Sequence, residues 1–113
     1  MIYQYDATFL VDTGAAVSVI FDRFFTRNNL HVPSDKVVIS YRLANGSIAQ
    51  APLYYADYQL GNHPIRNIRT AVIKVPSKEI DFDGIIGQNI LENFQVNIDH
   101  KNQIITLEHP DSN

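Results

Sequence analysis

The sequence contains no cysteine, which excludes disulfides, thiolate metal ligation and a thiol nucleophile together. That absence leaves the compartment open, cytoplasmic or periplasmic for a soluble domain. No apolar run is long enough to span a bilayer, and the first residues lack the basic-then-apolar layout of a secretory signal. The strand-like pattern starts abruptly at Met1, which fits a piece of a longer protein as well as a whole one. Positive charge is in short supply too. Nine Lys and Arg against twelve Asp and Glu give a net charge of -3, whereas a nucleic-acid partner calls for a basic face. Gly61, Gly84 and Gly87 do not form the G-x-x-x-x-G-K pattern of a phosphate loop. His31, His63, His100 and His109 are scattered through turns and tails without metal-ligand spacing, so no metal or cofactor is expected. Repeats, linkers and low-complexity segments are also missing. What remains is one ordinary globular domain, residues 1–113, with 45% hydrophobic and 19% charged residues, large enough for a single core.

The pattern is rich in strands. The first two expected strands, Ile2 to Tyr5 and Thr8 to Val11, read as a hairpin turning near Asp6-Ala7. Val17 to Ile20 is strand-like again, and Phe21, Phe24 and Phe25 fall at helical spacing, predicting a short helix over Phe21 to Asn28 with a core-facing side. Val37 to Leu43 is a strand followed by Ala44-Asn45-Gly46-Ser47, and Asn-Gly is a strong hairpin signal. The return strand, Ile48 to Leu60, carries Pro52, which suits an edge or bulge. Within it, Tyr54, Tyr55 and Tyr58 read as sheet-surface and core residues rather than a base-stacking platform. A turn at Gly61 to Pro64 precedes a strand over Ile65 to Val75. Ser77 to Asp83 reads as polar loop, with Glu79, Asp81 and Asp83 close together. Gln95 to Asp99 alternates as a half-buried strand should, and His100-Lys101-Asn102 returns it into Gln103 to Glu108.

One stretch stands apart: Thr8-Phe9-Leu10-Val11-Asp12-Thr13-Gly14-Ala15. An apolar strand runs directly into a carboxylate, and a buried charge is costly unless compensated, which makes such a position a candidate for chemistry. Taken alone, Asp-Thr-Gly reads first as a helix cap or turn. A second stretch, Asp83-Gly84-Ile85-Ile86-Gly87-Gln88-Asn89-Ile90-Leu91, changes that balance. Together the two resemble the retropepsin type of aspartic protease, in which a hydrophobic strand ends in Asp-Thr/Ser-Gly-Ala. Two hydrophobic residues and a glycine later lead into a short helix, here Ile85-Ile86-Gly87 and Gln88 to Phe94. The resemblance extends from about Thr8 to Leu107. It implies an all-β, single-domain acid-protease barrel or sandwich with a flap hairpin and one or two short helices.

The resemblance also implies roles. Asp12 would be the catalytic carboxylate, and Thr13 would brace the turns across a dimer axis. Gly14 would allow close backbone approach, with Ala15 small for the same reason. Ser18 would turn its hydroxyl toward nearby backbone. The Asn45-Gly46-Ser47 hairpin would be the flap over bound peptide, with Gly46 as its only glycine. Viral members usually carry an Asp after Asp-Thr-Gly-Ala that binds substrate backbone and pairs with an Arg after the second motif's glycine. Here those positions are Ala16 and Gln88, so acid and partner are missing together and no charge is orphaned. That pattern marks a cellular or bacterial member. Substrate contacts would fall on Ala15, Ala16, Asn45, Gly46, Ser47 and Ile86, with Val17, Ile48, Ile85 and Ile86 as pocket walls.

Acid-dyad chemistry needs two carboxylates sharing a proton, and only Asp12 follows a strand in the proper setting. A twofold axis supplies the same residue from a second copy. The expectation is therefore a homodimeric aspartic endopeptidase acting on extended polypeptide, its dimer weak if flanking segments are absent. The alternative is a catalytically silent relative serving as a dimerisation or peptide-binding module.

Overall fold

Strands β1 (Phe9–Val11), β2 (Ser18–Phe21), β3 (Val38–Arg42), β4 (Ile48–Leu60), β5 (His63–Ile73) and β6 (Gly84–Ile86) form one six-stranded sheet, in the order β1-β6-β2-β5-β4-β3. Helix α1 (Asp22–Arg27) follows β2, and α2 (Gln88–Leu91) follows β6. Strands β7 (Gln95–Asp99) and β8 (Ile104–Glu108) pair antiparallel as a separate hairpin. The computed structural model describes residues 4–43, 45–99, 101, 102 and 104–108. Among these, no helix is long and apolar enough to cross a membrane. The architecture is mostly β with two short helices, the expected fold class.

The central strands are apolar on both faces, and the period of two sends alternate residues to different cores. All four residues of β2 are buried. Ile20 joins one cluster with Phe25, Ala56, Tyr58, Val72, Ile86, Ile90, Leu91 and Phe94. Its neighbours Val19 and Phe21 join a second with Ile39, Ala51 and Ala71. The same split divides Ala71 from Val72 on β5 and Ile85 from Ile86 on β6. Tyr58 brings a hydroxyl into the first cluster. Its hydroxyl lies 2.8 Å from Thr70 Oγ1, which gives its own proton to Ile68 O, so Tyr58 is the donor. Burial pushes the phenol up to about 12.

The differences from expectation are local. The hairpin expected between Ile2–Tyr5 and Thr8–Val11 is absent from the described part: Gln4 to Thr8 are not strand, while Ile2 and Tyr3 lie outside the described residues. β1 pairs instead with β6, in parallel. Phe21 ends β2 rather than starting α1, and α2 stops at Leu91 rather than Phe94. His63 and Pro64 already belong to β5, because Gly61 at φ +60° closes a two-residue loop between Leu60 and His63. Leu53 N–H bonds to Val37 O, so alternation turns the Pro52 nitrogen away from β3 and toward β5. The β4–β5 ladder starts only at Leu53, so Pro52 costs no ladder bond. Tyr54 and Tyr55 are exposed and Tyr58 is buried. In the C-terminal turn, Lys101 and Asn102 are described, and His100 and Gln103 lie outside the described residues.

Asp83, expected as one acid of a polar loop, is 5% exposed. Its Oδ2 accepts from Thr8 N–H at 2.8 Å, and its own N–H donates to Thr8 O at 2.7 Å. Its carbonyl accepts from Phe21 N–H at 2.8 Å, and Arg27 of α1 meets Oδ1 at 2.8 Å. Arg23 caps the same segment through Ile80 O and Phe82 O. Asp83 thus ties the start of β1, the end of β2 and α1 to the start of β6. Burial pushes its carboxyl up, but bonds from Arg27 and Thr8 and the charges of Arg27 and Arg23 outweigh that and hold it below the ordinary value. A carboxyl lowered in the folded state stabilises the fold above its unfolded value, about pH 4, and loses that contribution as pH falls through its folded value.

Two predictions follow from this packing. Asp83→Asn should lower stability at pH 7 by about 1–3 kcal/mol, the usual cost of leaving buried partners unmatched. The deficit should shrink by pH 3, as denaturant midpoints at the two pH values would register. At Gly84, an added Cβ would stand 2.1 Å from Val19 O and 2.6 Å from the Phe9 ring. Gly84→Ala should therefore cost about 1–3 kcal/mol by forcing the strands apart, measured as a drop in unfolding midpoint.

Candidate active site

β1 and β6 run side by side in register, Val11 opposite Ile86, so the two sequence motifs end next to each other. Asp12 N–H continues the pairing to Ile86 O at 3.0 Å. The chain then turns: Ala15 N–H donates to Asp12 O at 3.2 Å, and Gly14 N–H donates to Asp12 Oδ1 at 2.9 Å. The carboxylate of Asp12 is thereby aimed by the turn that follows it. Asp12, Thr13 and Gly14 are all exposed in the single chain, unlike the buried Asp83. A Cβ on Gly14 would meet only Asp12 Oδ1, at 3.4 Å. Crowding within one chain therefore does not demand glycine there.

The first residues of α2 hold the other side of the turn. Gln88 N–H donates to Ala15 O at 2.7 Å and Asn89 N–H to Ala16 O at 3.3 Å, while Gln88 Nε2 donates to Thr13 O. Beneath them, Ser18 Oγ accepts from Gly87 N–H at 3.0 Å and donates to Asn89 Oδ1 at 2.7 Å. Asn89 Oδ1 also accepts from Ser18 N–H, and its Nδ2 donates to Arg69 O of β5. Ser18 therefore does turn its hydroxyl to backbone, as expected, and shares it with a side chain as well. A Cβ on Gly87 would stand 2.8 Å from both Ala15 O and Val17 O, so only glycine lets α2 approach this closely.

Asp12, Thr13, Gly14, Ala15 and Ala16 are thus gathered against Gly87 and Gln88. Ala15 and Val17 are half-buried and Ala16 is exposed. Ile86 is 2% exposed in the core, so its side chain is turned from any cleft; Ile85, half-buried at the second cluster, is the apolar neighbour with surface to offer. Asn45, Gly46 and Ser47 sit at the tip of the β3–β4 hairpin. Leu43 N–H bonds Ser47 O, Gly46 N–H bonds Leu43 O, and Asn45 Oδ1 accepts from both the N–H and hydroxyl of Ser47. Gly46 takes φ +88°, which its missing side chain permits; Ala44 lies outside the described residues. Ile48, on the returning strand, is 66% exposed. Among the described residues no three His, Asp or Glu side chains gather as a metal site needs.

Asn89 is the contributor that the sequence reading missed. A polar amide inside the apolar run from Ile85 to Leu91 needs a buried partner, and Ser18, polar beside Val19 and Ile20, has the same need. A family model described as aspartyl protease matches residues 1–90, ending within α2. No curated protein and no solved structure matched the chain. With that match over most of its length, and with both signature stretches joined in one turn, the chain belongs to the retropepsin-like aspartyl protease family.

Proposed function

We propose that the chain is one half of an aspartic endopeptidase, whose active site forms when two copies bring their Asp12 carboxylates together on a twofold axis. The observation that carries this reading is the Asp12 turn: one exposed carboxylate, aimed by Gly14 N–H, on a loop braced by α2. The chain's other well-placed acid, Asp83, is spent on Arg27 and Thr8. A twofold operation places a residue near the axis beside its own copy. The Thr13 side chain makes no hydrogen bond within the chain among the described residues, which leaves it free to brace the second copy.

In the pair, one carboxylate is ionised and the other protonated, since two adjacent negative charges are disfavoured. The ionised group takes a proton from water as the water oxygen bonds to the peptide carbonyl carbon. The protonated group gives its proton to the carbonyl oxygen. Collapse of the tetrahedral species breaks the C–N bond: the proton held by the first carboxylate passes to the leaving nitrogen, and one hydroxyl proton returns to the second carboxylate as the C=O reforms, which restores the singly protonated pair. Substrate would lie extended between the copies, bonded in β fashion, with alternate side chains against Val17, Ile85 and Ile48. The β3–β4 hairpin would close over it and exclude water.

Asp12→Asn changes charge with little change of shape. Cleavage of an unfolded, casein-like protein should fall by roughly 10²–10⁴-fold or more, while the unfolding midpoint stays close to wild type. Activity of the wild-type chain should follow a bell on the acid side of neutrality, since only the singly protonated pair works. Full activity in Asp12→Asn, or a rate rising steadily into alkaline pH, would contradict the mechanism. Peptide binding without cleavage would assign the silent module instead.

A further inference from the structure

Four carbonyl oxygens of the Asp12 turn accept hydrogen bonds. Asp12 O takes Ala15 N–H; Ala15 O and Ala16 O take the main-chain N–H groups of Gln88 and Asn89. Those bonds would survive most substitutions at either helix residue. The fourth is different in kind: Thr13 O is held by a side chain, the Nε2 of Gln88. Gln88 is exposed, so its side chain contributes little to the core. A carbonyl oxygen can only accept, which fixes the NH₂ end of the amide toward Thr13.

Thr13 O belongs to the same peptide unit as Gly14 N–H. That unit is planar, with its oxygen and hydrogen pointing in opposite directions. Holding the oxygen therefore aims the hydrogen, and the hydrogen is the one donated to Asp12 Oδ1 at 2.9 Å. A donor on the carbonyl also polarises the peptide and strengthens the N–H at its other end. No other side chain bonds to the Asp12 carboxylate among the described residues. Arg69 of β5, whose carbonyl holds Asn89, forms no ion pair with it among the described residues.

We infer that Gln88 is a positioning residue for Asp12: by gripping Thr13 O it sets the Thr13–Gly14 peptide plane that orients the carboxylate. The inference rests on Asp12 being the catalytic carboxylate, and it assigns Gln88 a role in rate rather than in stability. Its amide bonds Thr13 O and not the Asp12 carboxylate.

The test compares the wild-type chain with Gln88→Met, which keeps length and loses the donor, and Gln88→Arg, which keeps a donor. Cleavage of a casein-derived peptide is followed across pH, alongside the ¹H–¹⁵N signal of the Gly14 amide. In Gln88→Met, kcat should fall roughly 3- to 30-fold with KM within about twofold. The Gly14 amide signal should shift upfield, and the unfolding midpoint should stay near wild type. Gln88→Arg should restore part of the rate and return the amide signal toward wild type. An unchanged rate and Gly14 signal in Gln88→Met, in a protein whose wild type cleaves peptide, would overturn the role of Gln88 alone. If the wild type cleaves nothing while the Gly14 signal still shifts, the peptidase reading fails and the grip on the turn stands. A rate loss that follows a falling unfolding midpoint, without rescue by Arg, would make Gln88 a stability residue and overturn the inference.

Discussion

Backbone hydrogen bonding of β6 to two strands at once is what the Asp12 turn depends on. β6 lies parallel to β1 and antiparallel to β2, although β1 and β2 are separated by only the residues from Asp12 to Val17. That short connection does not fold into a hairpin, because a third strand from more than sixty residues downstream occupies the space between. The loop must therefore arch over the end of β6, and Asp12 is the first residue of the arch. Two glycines make the arrangement sterically feasible. Gly84 lets Phe9 and Val19 close on β6, and Gly87 lets α2 sit under the carbonyls of Ala15 and Val17. A buried peptide group left without a partner costs more than a made bond contributes, so the arch is held by many small obligations rather than by one strong contact.

Two acids flank this unit and live in opposite surroundings. Asp83 closes the far end of β6, buried and paired with Arg27; Asp12 stands at the near end, exposed and held by one N–H. The first is used up by structure, and the second has unspent hydrogen-bonding capacity. In the proposed pair this contrast matters for pH as well. Dyad chemistry runs on the acid side of neutrality, while the Asp83 contribution to the fold fades below about pH 4. The usable window is then bounded from below by double protonation of the pair together with the weakening fold, and from above by loss of the shared proton.

Much of this was legible in the sequence, for identifiable reasons. The length of β4, the Asn45-Gly46 tip and the alternation from Gln95 to Asp99 are local signals, and each appears at the expected place. The two motifs were readable because each combines an apolar strand with residues that such a strand does not ordinarily tolerate. What escaped was set by distant partners. Nothing near Phe9 says that it will pair in parallel with Gly84, so the N-terminal strand was given to its sequence neighbour. Asp83 was read as a loop acid, although it abuts an apolar strand just as Asp12 does; its partner Arg27 lies on a helix far away in sequence. Ile85 and Ile86 look alike in sequence as candidate cleft walls. Only the sheet's two faces separate the buried Ile86 from the half-buried Ile85.

The proposed site is built from two chains, each giving one Asp12. Its most direct test is specific activity over a wide dilution series, with sedimentation at the same concentrations and with inactive Asp12→Asn chains titrated into wild type. Reversible assembly predicts that specific activity falls on dilution as the dimer dissociates and recovers on concentration. It also predicts that Asp12→Asn chains poison wild-type chains by forming mixed pairs with a single catalytic carboxylate. Constant specific activity from a species that sediments only as monomer, unaffected by added Asp12→Asn chains, would contradict it.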